Sequence, residues 1–152
     1  MSNLLPRTRT RRIYTRRKKI IMVGDTIGDF IIRLKNAGMV GKESVSLPYS
    51  KLRHSVADKL VEAGYLASAK AQGKAVQEKT LEVGLVYEAG KHRISGVKRV
   101  SKPGRRLYTK VADIHPVKFG KGHMVLSTPA GILLGEEARE KKVGGEQLFI
   151  IW

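Results

Sequence analysis

The residues best suited to proton transfer or metal binding are four histidines, His54, His92, His115 and His123, and their spacing argues against both roles. No two of them stand four apart, and no His-Glu-x-x-His run places a pair on one helical face. Asp25 and Asp29 lie one helical turn apart, but helix capping and solvation explain them better than paired acid–base catalysis. Gly120-Lys-Gly122 lacks the third glycine of a dinucleotide fingerprint, and no Gly-Lys-Ser/Thr phosphate loop occurs. Ser127 sits outside a Gly-x-Ser-x-Gly frame, with His123 the one base worth naming near it. With no cysteine, thiolate metal sites and disulfides are excluded. The chain assembles no nucleophile, base and oxyanion set. We expect no enzyme, no cofactor, no metal and no small-molecule substrate.

The chemistry the residues favour is recognition of a polyanion. Among 152 residues, 30 Lys and Arg face 13 Asp and Glu, a formal charge of +17. Self-repulsion on this scale destabilises a compact chain unless a polyanion offsets it, and nucleic acid is the obvious one. An anionic membrane surface is the competitor. It is disfavoured because the apolar residues are used in ordinary core patterns and no run of eighteen or more could span a bilayer.

Specificity requires groups other than cations. The hydroxyls of Ser127 and Thr128 both donate and accept, so they suit 2′-hydroxyls, phosphates or base edges of an irregular RNA groove. Gly131, Gly144 and Gly145 permit close approach and unusual backbone conformations. Glu146 would be repelled by phosphate. It is either an acceptor for a base amino group or hydroxyl, or an internal ion-pair partner. Lys51, Arg53, Arg99, Lys102, Arg105 and Arg106 offer phosphate contacts, each weighed against a solvated surface charge. Tyr108, and less so Tyr49, could stack on a base or sugar.

Hydropathy patterning supplies the elements that must hold these groups. The expected class is α+β, with 41% hydrophobic residues to fill a core. Ile27, Phe30, Ile31 and Leu34 mark one helical face, with Asp25 able to cap its start and Gly38 suited to its end. Glu43–Leu47 reads as a strand stopped by Pro48. Ser50 suits the N-cap of a second helix whose inner stripe is Leu52, Val56, Leu60 and Val61. Strands follow at Tyr65–Lys70 and, by strict alternation, Leu81–Tyr87. This gives an α-β-α-β-β subdomain over residues 24–88, then a linker at Ala89, Gly90 and Lys91. Residues 92–152 read as mainly β: extended Ile94–Val100 with a bulge at Gly96, a Pro103-Gly104 turn, and a strand at Arg106–Lys110. One helical turn at Asp113–Phe119, strands at His123–Leu126 and Gly131–Leu134, a helix at Glu136–Lys142 and a terminal strand at Gln147–Trp152 complete it.

Residues 1–23 carry eight Arg and Lys and no acid. Such a segment is read either as a nucleic-acid-binding arm that orders on contact or as an organelle transit peptide. Sparse apolar residues there make the arm the favoured reading.

Arg99-Val-Ser-Lys-Pro-Gly-Arg-Arg-Leu-Tyr108, Leu126-Ser-Thr-Pro-Ala-Gly-Ile132 and Val143-Gly-Gly-Glu146 stand in an order and spacing that resemble the small-subunit ribosomal protein eight family. Asp25-Thr-Ile-Gly-Asp29, Arg33-Leu-Lys-Asn36 and Pro48-Tyr-Ser-Lys-Leu-Arg53 agree. The resemblance runs from about residue 24 to Trp152. It implies an N-terminal α/β and a C-terminal mainly β subdomain packed together. It also implies a structural, cytoplasmic role in the small ribosomal subunit: binding the central domain of its RNA early in assembly, beside neighbouring ribosomal proteins. The main RNA grip would be on the C-terminal subdomain, at Ser127, Thr128 and the Gly144-Gly145-Glu146 turn. Members are also thought to bind messenger RNA as autoregulators. Pro129 and Ala130 depart from the Ser and Lys that many members carry there, so this loop loses a cation and is stiffened by proline.

Overall fold

The computed structural model describes residues 26–75 and 77–152. The basic segment 1–23 and the Asp25 cap lie outside them.

Helix α1 (Thr26–Val40) buries Ile27, Phe30, Ile31, Leu34 and Ala37 along one stripe. It runs past the expected stop at Gly38 and ends before Gly41, whose φ of 85° suits the left-handed turn that closes a helix. Gly38 is instead a contact position: a Cβ built there would lie 1.8 Å from His92 Nδ1.

Strand β1 (Ser44–Pro48) leads to α2 (Lys51–Glu62), then β2 (Leu66–Gln72) and β3 (Thr80–Leu85). These strands form an antiparallel sheet in the order β1-β3-β2. β3 is central, so Leu81, Val83 and Leu85 point into the core, as their alternation predicts. Ser50 occupies the N-cap of α2 with extended backbone, but its side chain makes no capping bond. The inner stripe of α2 is Arg53, Val56, Ala57 and Leu60, while Leu52 is 38% exposed.

The expected linker is a tight hairpin. β4 (Tyr87–Glu88) pairs with β5 (Lys91–His92) around Ala89 and Gly90, which have φ of 51° and 76°. Two successive positive φ values match the twist of a two-residue hairpin.

The second half forms a sheet from β6 (Val97–Arg99), β7 (Tyr108–Thr109), β8 (His123–Thr128), β9 (Gly131–Leu134) and β10 (Gly145–Ile151). Its order is β6-β10-β8-β9, with β7 also paired to β10. Helix α3 (Gly135–Glu140) follows β9 directly. The anticipated strand at Arg106–Lys110 shrinks to two residues, and single 3-10 turns occupy Val111–Asp113 and Lys118–Gly120.

Opposite β8, the register of β10 slips between Gln147 and Phe149. Leu148 is the extra residue of a bulge, so Leu148 and Phe149 both turn inward despite being consecutive. A single buried cluster takes members from both halves, among them Phe30, Leu60, Tyr65, Val83, Val125 and Phe149. Truncating a side chain as enclosed as Phe149 costs about 3–5 kcal/mol. A smaller cluster of Ile114, Leu126, Leu133 and Ala138 lies under α3. The architecture is α+β.

Candidate nucleic-acid interface

β10 gathers the residues singled out in the sequence because it has a strand on each side. Glu146 is registered opposite Tyr108 of β7 and opposite Ser127 of β8. Register partners project to the same face with Cβ atoms about 5 Å apart, so Tyr108, Glu146 and Ser127 form one row across three strands. Tyr108 is 71% exposed, and Glu146 and Ser127 are half-buried.

The glycines make this row possible by their lack of a side chain. A Cβ on Gly145 would lie 2.1 Å from the carbonyl oxygen of Ser127, and one on Gly144 would lie 2.4 Å from that of Thr109. Neither has a positive φ, so the expected need for unusual backbone conformation is replaced by a need for space. Gly131, by contrast, has a φ of 109° and closes the β8–β9 hairpin. In that hairpin Thr128 Oγ1 donates to Gly131 O at 2.8 Å, so one of the two hydroxyls is partly committed. Pro129 and Ala130 are exposed at the tip.

Glu146 is held internally as well as lying in the row. Ser101 Oγ donates to its Oε1 at 2.6 Å, and Arg106 Nη1 approaches both carboxylate oxygens at 3.3 and 3.4 Å. Ser101 is 3% exposed and was not among the sequence candidates. Its position inside the Arg99–Tyr108 segment was the available signal. Arg99 Nε donates to the Ser101 carbonyl. Burial holds the Arg99 pKa below its ordinary value, with nearby Glu146 opposing that shift and Arg106 adding to it. Two cations around one carboxylate leave a local excess of positive charge, of which the Arg106 guanidinium is the exposed part.

Lys102 and Arg105 close a turn by reciprocal backbone bonds of 3.0 and 2.9 Å around Pro103-Gly104, and both side chains are exposed. Arg99, Ser101, Lys102, Arg106, Ser127 and Glu146 share a groove of about 270 Å³ with Thr26 and Leu52 of the first half. Lys51 is exposed at the start of α2, next to Leu52.

Arg53 does not join this surface. It is 8% exposed, with Nη1 donating to Pro48 O at 3.0 Å, Nε donating to Thr26 O at 3.3 Å, and Nη2 lying 3.5 Å from Asp29 Oδ2. The guanidinium ties the start of α1 to the end of β1, a use that its position in a basic motif did not reveal. Its reading as a phosphate contact is therefore corrected. Tyr49 is half-buried against His54 and beneath Lys79. The competing serine–histidine reading fails on geometry: His123 and Ser127 stand at opposite ends of β8, and His123 Nδ1 lies 2.7 Å from the Tyr65 hydroxyl.

The family model described as ribosomal protein S8 matches residues 25–152. The small ribosomal subunit protein uS8 of Nitratidesulfovibrio vulgaris strain Miyazaki F is 44% identical over 131 residues, covering 86% of this chain and all of the relative. Those of Bdellovibrio bacteriovorus and Mycoplasmopsis synoviae are 42% and 38% identical, each covering 84% of this chain and 99% and 97% of the relative. The described fold, its motif segments and these matches agree: the chain belongs to the ribosomal protein S8 family, whose members are structural ribosomal proteins and not enzymes.

Proposed function

We propose that this chain binds the central domain of small-subunit ribosomal RNA directly, helps that domain assemble, and stays in the cytoplasmic small subunit beside neighbouring ribosomal proteins. The C-terminal part, residues 92–152, supplies the grip, and residues 24–88 buttress it. Contact falls on Ser127, Thr128 and Tyr108 across the Gly144-Gly145-Glu146 edge, with Arg99, Lys102, Arg105, Arg106 and Lys51 attracting phosphates around it.

The observation that carries this reading is the row of Tyr108, Glu146 and Ser127 on three adjacent strands, bordered by cations. A stacking ring, an acceptor and a hydroxyl in fixed register can read a distorted RNA groove. The exposed cations contribute affinity without selecting sequence. Glu146 is held in place by Ser101 and Arg106, so its carboxylate oxygens accept from a base amino group or a 2′-hydroxyl rather than meeting phosphate.

Hydroxyl-radical footprinting of transcribed central-domain RNA with the full chain tests the reading. Protection should be confined to one helical region, and log affinity should fall against log salt by roughly 0.7–0.9 per neutralised phosphate. Equal affinity for RNA from the other domains would refute it.

A further inference from the structure

The far end of β8 carries a feature that the Tyr108–Glu146–Ser127 row does not use. Phe119 is fully exposed, at 104% of its reference area. It sits at the tip of a loop closed by the Val117–Gly122 bridge, with Gly122 N donating to Val117 O at 3.1 Å. Lys118, Phe119 and Gly120 have successive φ values of 48°, 57° and 85°. Two non-glycine residues are thus held in the left-handed region, a strained conformation that concentrates at functional positions.

The root of the loop is fixed. A Cβ on Gly122 would meet Val117 Cγ1 at 2.9 Å and Ile151 O at 3.0 Å, so loop and β10 are in close contact. Lys118 Nζ lies 4.6 Å from the centre of the Trp152 ring, a cation–π contact that pins the residue before Phe119. The ring is therefore presented outward by a braced loop. Pro116, Lys118 and Gly120 line a shallow hollow beside it.

We propose that this loop is a second RNA contact, in which Phe119 stacks on an unpaired base of the ribosomal RNA and Lys121 pairs with an adjoining phosphate. The inference rests on the reading that the chain binds small-subunit RNA. Residues 114–122 contain Lys118 and Lys121 and no acid. An aromatic face on a cationic loop matches a nucleotide, whose base offers a π face and whose backbone is anionic. A protein partner would instead call for an apolar rim, and around Phe119 the loop offers only Pro116 and Val117. Four residue steps along β8 separate His123 at this end from Ser127, about 13 Å at the usual rise per residue. The two contacts would thus grip different nucleotides.

Two experiments decide it. The full chain with p-benzoylphenylalanine at position 119, incorporated into small subunits and irradiated, should crosslink to ribosomal RNA. Crosslinks only to protein, or none, would overturn the proposal. In filter binding to transcribed small-subunit RNA, F119A should bind about tenfold more weakly, F119L similarly, and F119W within about twofold of the unchanged chain. Phe119 touches no core residue, so these variants should melt with the parent. If F119A binds as tightly as the parent while S127A loses affinity, the loop proposal fails and the β8–β10 site stands. If the parent itself shows no preference for that RNA, both fall.

Discussion

The Ser101 hydroxyl donates to Glu146 Oε1 at 2.6 Å and accepts the Leu107 N–H at 3.3 Å. One buried hydroxyl thus joins the basic turn to the edge of β10 and fixes the carboxylate that the row needs. S101A leaves a partly buried carboxylate and a backbone N–H each short of a partner. Bonds to charged groups contribute about 1.5–3 kcal/mol, so urea unfolding should show a loss in that range. Restoration of stability by S101T would tie the loss to the hydroxyl; S101A matching the parent would dispose of the idea.

Ser127 and Thr128 should separate stability from recognition. The Thr128 hydroxyl bonds within its hairpin, whereas among the described residues the Ser127 hydroxyl has no bond. T128A is expected to lose about 0.5–1.5 kcal/mol of folding stability. S127A should fold as the parent does, yet bind cognate RNA several-fold more weakly with an unchanged salt slope. A changed slope would mean that Ser127 acts through phosphates.

Gly38 and His92 form a coupled pair. G38A drives a methyl group into the imidazole and should cost about 1–3 kcal/mol, despite the better helix propensity of alanine. In an H92A background the clash is gone, and the same substitution should stabilise by up to about 1 kcal/mol. Equal effects in both backgrounds, measured as a double-mutant cycle, would show that the two residues do not meet.

Acidification should weaken the fold in two windows. His92 has both ring nitrogens buried without a bonding partner, and burial lowers its pKa. Its neutral form is favoured in the fold, so that stability is complete above about pH 6.5 and declines below it. Glu137 is pushed upward by burial. That push is outweighed by the Leu134 N–H at 3.0 Å and by Lys59 Nζ at about 3.1 Å, leaving its pKa below the ordinary carboxylate range. Its contribution is full above about pH 4.3 and disappears as pH falls through the lower folded value. H92F should abolish the first decline and E137Q the second in chemical denaturation across pH. Persistence of a decline in the matching variant would assign it to another group.

Local pattern sufficed where local forces decide. The stripe of α1 and the alternation of β3 lie on elements with one clear inner face, and those periods emerge from burial itself. Motif order sufficed for the family. What escaped is set by partners distant in the chain. Arg53 reads as a surface cation until Asp29, 24 positions earlier, and two carbonyls are brought to it. Gly38 reads as a helix stop because nothing nearby announces His92. Ala89-Gly90 reads as a linker because a two-residue hairpin and a flexible joint share the same composition. Ser101 offers only a small polar residue, and its importance arises from Glu146, 45 positions later.

The position of β10 carries a consequence for the timing of synthesis. β7 is joined to the C-terminal sheet through β10, and Tyr108 and Ser127 are brought into line by Glu146 between them. A nascent chain halted before Gly145 therefore carries the ring and the hydroxyl on strands with no common ruler. The spacing an RNA groove would have to match comes into being only after residues 145–151 have emerged and paired.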